Sequence, residues 1–111
     1  MALLPNAINA RVEDSKLHDY LLSLTHPEGA AKARFYAAVG YTLRNAEELR
    51  AELIRIAREF DVVETFPDDF GVKYVVEGIL HDTGGRGIPL LTVWVVDNGT
   101  DFPRLVTAYP L

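Results

Sequence analysis

The stretch NAEELRAELIRIAREFDVVETF, Asn45 to Phe66, changes its apolar period part-way along, and the fold class is read from that change. Up to Phe60, the residues Leu49, Leu53, Ile56, Ala57 and Phe60 recur at i, i+4, i+7, the stripe of a helix with one buried face. Asn45, with Glu48 three residues on, marks the start of that helix. Past Asp61 the stripe stops, and Val62-Val63-Glu64-Thr65-Phe66 reads as a short strand.

Downstream the β signal continues to the end of the chain. Val72 to His81 is a strand closed by the turn Asp82-Thr83-Gly84-Gly85-Arg86-Gly87. Ile88 to Val96 is the next, closed by Asp97-Asn98-Gly99-Thr100, and Leu105 to Tyr109 is the last. Connections this short force antiparallel neighbours, hence a meander. The strand around Trp94 is apolar on both faces, with Leu91, Val93 and Val95 on one and Leu90, Trp94 and Val96 on the other. One face must cover helices; the second either curls over a cleft or is buried against another copy.

Upstream the pattern is helical. A first helix is expected after Asp14 or Ser15, with Leu17, Leu21, Leu22 and Leu24 as its stripe and Tyr20 beside it. A second is expected from Thr25-His26-Pro27-Glu28, where Thr25 and Glu28 have capping-box spacing and Pro27 takes the first helical position, to about Gly40. Helices first and strands afterwards predict an α+β domain, N-terminal helices packed on a three- to four-stranded antiparallel meander, with residues 1–111 as a single domain.

Composition narrows the function classes. The chain has 111 residues, 49% hydrophobic and 24% charged, as an ordinary globular domain does. It has no cysteine, which excludes disulfides, thiolate metal sites and a cysteine nucleophile and suits a cytoplasmic location. No apolar run approaches membrane length, and Met1-Ala2-Leu3-Leu4-Pro5-Asn6 does not read as a secretory signal. The net charge of −5 falls entirely in residues 61–111, which hold three basic and eight acidic side chains; residues 1–60 hold eight of each. A chain this acidic is a poor general polyanion binder, so a nucleic-acid site has to be local and belongs in the helical half.

Within that half, His26 stands at an expected helix start, where unpaired backbone N–H groups and the helix dipole attract phosphate and disfavour imidazolium. It is read as a neutral base, or more simply as a residue of the cap. Lys32, further along the same helix, can supply charge to an anionic transition state, although Glu28 four residues earlier makes a surface ion pair the simpler role. Arg34 points elsewhere. In the last strand, alternation places Leu105, Thr107 and Tyr109 on one side and Arg104, Val106 and Ala108 on the other. Thr107 and Tyr109 offer two hydroxyls, and Arg104 is an anion clamp only if the register brings it to the same cleft. Thr and Tyr favour strands in any case, and Lys73 and Thr92 carry the same caution. His18, His81 and Asp82 make no metal-ligand spacing with His26, and Gly84-Gly85-Arg86-Gly87 joins two strands, so it is a hairpin and not a phosphate loop.

Taken together, Leu4-Pro5-Asn6, Lys16-Leu17, Tyr20-Leu21-Leu22, His26-Pro27-x-Gly29-x-x-Lys32-Ala33, Gly40-Tyr41, Thr92-Val93-Trp94 and Pro103-Arg104-Leu105-Val106-Thr107-Ala108-Tyr109-Pro110 resemble a small bacterial family, a domain of unknown function. That family is similar in layout to the barnase–EndoU–colicin class of metal-independent ribonucleases, many of them bacterial toxins. The resemblance implies His26, Lys32 and Thr107 as catalytic residues, with Arg104 and Tyr109 binding substrate. It implies RNA cleavage by attack of the 2′-hydroxyl, without metal or cofactor. RNA, transfer RNA included, would be the substrate and an antitoxin or immunity protein the partner. Only one histidine is well placed, so Lys32 or Tyr109 would have to supply the second acid–base group. The alternative reading is a non-enzymatic acidic binding or immunity-like module, pairing with a second copy through its sheet.

Overall fold

A computed structural model describes residues 2–111. A 3-10 turn at Ala7–Asn9 precedes α1 (Asp14–Lys16), which runs directly into a π-helical turn, Leu17–Leu21. Next come α2 (Ala30–Ala38), a 3-10 turn at Leu43–Asn45 and α3 (Ala46–Glu59). The strands are β1 (Val62–Asp68), β2 (Gly71–His81), β3 (Gly87–Asp97) and β4 (Arg104–Pro110). They form one antiparallel sheet in the order β1-β2-β3-β4, the meander expected of an α+β chain. Among the described residues no helix is long and apolar enough to cross a membrane.

The core lies between the helices and one sheet face. Leu49, Leu53, Ile56 and Ala57 of α3 meet Val76, Leu80, Leu90, Trp94, Leu105 and Ala108 of the sheet, all fully buried. Gly78 lets α3 lie close to β2, since a Cβ there would come 2.7 Å from Ile56 Cγ2. Thr92 is the one buried polar side chain of this core among the described residues. Its hydroxyl donates to the Val76 carbonyl at 2.8 Å and accepts from Trp94 Nε1 at 2.8 Å, which accounts for it structurally.

The helix ends depart from expectation in three places. After Lys16 the chain widens into the π turn, with Leu22 N bonded to the Leu17 carbonyl at 3.1 Å. The extra residue brings Leu17, Leu21 and Leu22 to the core together and leaves Leu24, expected in the stripe, 63% exposed. The second helix begins at Ala30, not at His26, and Thr25 does not cap it: the Glu28 and Gly29 amides donate to His26 Nδ1 at 3.0 and 2.9 Å. It ends at Ala38, close to the expected Gly40, whose φ of 102° lets Tyr41 N reach the Tyr36 carbonyl. The third helix is preceded by a capping box formed by Thr42 and Asn45, one turn earlier than the Asn45–Glu48 pairing expected.

In β4 a bulge resets the alternation. Val93 pairs with Thr107 but Trp94 pairs with Leu105, leaving Val106 without a partner. Leu105 and Ala108 are therefore both fully buried, which strict alternation forbids, and Leu105 does not share a side with Thr107 and Tyr109.

Candidate functional site

Three local features converge on Tyr20. The π turn carries it toward the edge strand β4. Gly29, buried at the entrance to α2, packs so closely on the Tyr20 carbonyl that an added Cβ would lie 2.1 Å from that oxygen. The β4 bulge presents Thr107, and the Tyr20 hydroxyl lies 3.1 Å from Thr107 Oγ1.

Cations flank the ring. Lys16 Nζ is 4.9 Å and Lys32 Nζ 5.3 Å from its centroid, and Lys32 Nζ is also 5.8 Å from the Tyr109 centroid. His26 meets the Tyr20 ring edge-on, with centroids 5.2 Å apart. Burial by itself would raise the phenol's pKa. The Thr107 hydrogen bond and the charges of Lys32 and Lys16 outweigh it, so the net direction is below the ordinary tyrosine value. Tyr36, by contrast, is buried with its hydroxyl on the Ala108 carbonyl at 2.7 Å, and burial drives its pKa upward.

The Tyr20–Thr107 pair opens onto a groove of about 520 Å³ whose wall also carries Ser15, Lys16, Asp19, His26, Glu28 and Val106. A second groove of equal volume is lined mostly by apolar residues, among them Leu22, Leu24, Ala33 and Leu43, with Thr42 and Arg44 as its polar members.

Of the residues singled out in the sequence, His26, Lys32 and Thr107 gather around Tyr20, Tyr109 lies beside Lys32, and Arg104 does not join them. Its guanidinium is held by Asp97, Nε to Oδ2 at 2.6 Å and a terminal nitrogen to Oδ1 at 3.1 Å, three residues up the strand from Thr107. At strand rise that is about 10 Å away. The pair holds Asp97 below the usual carboxylate range. Tyr20 and Lys16 are the members that sequence reasoning passed over as site residues. Their i, i+4 spacing, a cation stacked on a phenol in any helical turn, was the available signal.

His26 is also constrained more tightly than a free imidazole. Because Nδ1 accepts from two backbone amides, the neutral ring carries its proton on Nε2. The capping role is thus geometric fact, and the Nδ1 lone pair is unavailable as a base while the cap stands. Elsewhere, Asp14, His18 and Glu47 bring ligand atoms within 4.8 Å of one another, but Arg50 bridges both carboxylates and already supplies their counter-charge. His81 pairs with Glu52 at 3.3 Å, beside Arg55, at the end of β2.

Residues 3–111 match the family described as Domain of unknown function (DUF6883). The chain belongs to that family. No curated protein matches it. Among solved structures the chain is similar to one described as a contact-dependent growth inhibition toxin–immunity protein complex from Klebsiella pneumoniae 342. The TM-score is 0.70 and the identity 15%, over 94% of this chain and 95% of that one. At that identity the likeness is one of fold.

Proposed function

We propose that the chain is a toxin-type endoribonuclease that cleaves RNA by 2′-hydroxyl transesterification in the Tyr20–Thr107 groove. The observation that carries this reading is the convergence of the Lys16 ammonium, two hydroxyls and an N–H-bearing imidazole on one open groove, with the Lys32 ammonium beside the Tyr20 ring. A phosphodiester is the ligand such a set fits. Lys16 and Lys32 match its charge, and the excess negative charge grows in the pentavalent transition state, where fixed donors act most strongly. Thr107 and Tyr109 donate to the phosphoryl oxygens, and His26 adds its Nε2–H. Apart from Val106 and Thr107 of β4, the residues that line the groove come from the electrically neutral half of the chain.

In the reaction the 2′-oxygen attacks the adjacent phosphorus, the bond to the 5′-oxygen breaks, and the products are a 2′,3′-cyclic phosphate and a 5′-hydroxyl. Every group named is a side chain of this chain, so the reaction is expected to proceed in EDTA. The fold shared with a chain of a toxin–immunity complex supports a toxin-type setting, and a cognate inhibitory protein is the partner that setting calls for.

The same likeness supports a second reading, an immunity-type binding module, because the complex contains both partners. The net charge of −5 and the half-exposed Phe66 on the sheet's edge strand favour it. Incubating the purified chain with transfer RNA and total RNA in EDTA separates the two. Fragmentation that disappears in Lys32→Met supports the nuclease; RNA left intact at equimolar protein supports the module.

A further inference from the structure

We propose that Tyr20 is the group that takes the proton from the 2′-hydroxyl, and that His26 holds the helix entrance without itself acting as a base. The inference rests on the RNA-cleavage reading above and names which side chain moves the proton.

Taking a proton at His26 Nδ1 would break both amide bonds, to Glu28 N and Gly29 N, that form the entrance of α2. Nε2 already carries the ring proton. The imidazole is a fixed donor. What remains in the groove to accept a proton is a short set. Asp19 and Glu28 also line the groove, but both are exposed to solvent and stand outside the Tyr20–Thr107 contact. Lys16 and Lys32 are cations. Tyr36 is buried and donates to the Ala108 carbonyl. The Tyr20 hydroxyl faces the groove, is held by Thr107, and has Lys16 from its own element and Lys32 from α2 beside its ring. Those two charges stabilise a phenolate, in keeping with the downward direction of its pKa.

The step balances within the chain. The Tyr20 phenolate takes the 2′-hydroxyl proton as the 2′-oxygen–phosphorus bond forms. The Lys32 ammonium gives a proton to the departing 5′-oxygen as the phosphorus–5′-oxygen bond breaks. Transfer from the Tyr20 phenol to the Lys32 amine restores the starting state.

The test follows three readouts on the intact chain: phenolate absorbance against pH, the rate of transfer RNA cleavage against pH, and binding of a 2′-O-methyl RNA oligonucleotide. Tyr20→Phe should lose roughly 10²- to 10⁴-fold in rate, the span of a general base, with oligonucleotide binding unchanged. In the wild type the rate should climb with pH along the limb on which the Tyr20 phenolate appears, and Lys16→Gln should move both curves upward together. His26→Asn keeps a capping side chain and should leave the limb where it is. Cleavage by Tyr20→Phe with the limb retained, or a limb abolished by His26→Asn, overturns this assignment while leaving the nuclease reading intact. A wild type that cleaves no RNA overturns both.

Discussion

Replacing Gly29 with alanine adds one methyl group where the account says none fits. The new Cβ would lie 2.1 Å from the Tyr20 carbonyl oxygen, 2.9 Å from its carbon and 3.1 Å from the ring, whereas real Cβ contacts scarcely fall below 3.0 Å. Two of those atoms are backbone and cannot swing aside, so α2 and the π turn must part by most of an ångström. Overpacking of this kind costs about 1–3 kcal/mol. Gly29 has φ near −90°, which alanine tolerates, and the stiffer unfolded chain returns roughly 0.4–1 kcal/mol. The net expectation is a loss of about 1–2 kcal/mol, several degrees in Tm for a domain of this size. Displacing Tyr20 also lengthens its bond to Thr107 and withdraws it from the two lysines. The phenol should then titrate closer to ordinary tyrosine, and RNA cleavage should fall about 10²-fold, as misplacement by an ångström does. Thermal unfolding by circular dichroism and a spectrophotometric phenol titration measure the two effects on one sample. A Gly29→Ala protein with unchanged Tm and an unshifted Tyr20 titration would refute the packing argument and the positioning of the site with it.

Other perturbations bear on separate links. Thr92→Val removes the hydroxyl that accepts from the buried Trp94 Nε1, and urea unfolding should show a loss of about 1–3 kcal/mol; a change inside 0.5 kcal/mol would mean the indole finds another partner. Glu52 is pushed upward by burial but more strongly downward by Arg55 and the His81 amide, so its folded pKa lies below the ordinary value of 4.5. Its contribution to stability is therefore present at neutral pH and lost as pH falls below that value. Glu52→Gln should flatten that acid limb, and an unchanged profile would show the pair to be idle. Arg104→Gln should leave RNA cleavage within about twofold and lower stability by less than about 1 kcal/mol, since its partner Asp97 is as exposed as it is. A large loss of activity in that variant would bring Arg104 back into the site.

Much of the fold is readable along the chain because burial there has a simple period. The α3 stripe and the β2–β3 hairpin are long, strongly patterned and punctuated by Gly- and Asp-rich turns, so element type and order follow directly. The errors fall where local chemistry overrides period. Thr25, Glu28 and Pro27 spell a helix start in residue types alone. The imidazole of His26 caps instead, and only Gly29's close approach to Tyr20 shows why the helix waits until Ala30. The π turn and the β4 bulge each insert one residue, which no periodicity rule anticipates. Those same two insertions bring Tyr20 and Thr107 together. His26, Lys32, Thr107 and Tyr109 could be singled out as residue types; Tyr20 was hidden because it reads as one more large side chain beside an apolar stripe. Arg104 looked available because its partner Asp97, in the preceding strand, is a pairing that only the register discloses.

The central claim is that the Tyr20–Thr107 groove activates an RNA 2′-hydroxyl, and chromatography with mass analysis of a cleaved RNA oligonucleotide, in EDTA, tests it most directly. Fragments ending in a 2′,3′-cyclic phosphate with matching 5′-hydroxyls, and no cut where the scissile ribose is replaced by deoxyribose, are the outcome the account predicts. An intact oligonucleotide at equimolar protein, or cleavage that proceeds at the deoxyribose and leaves 5′-phosphates, would contradict it.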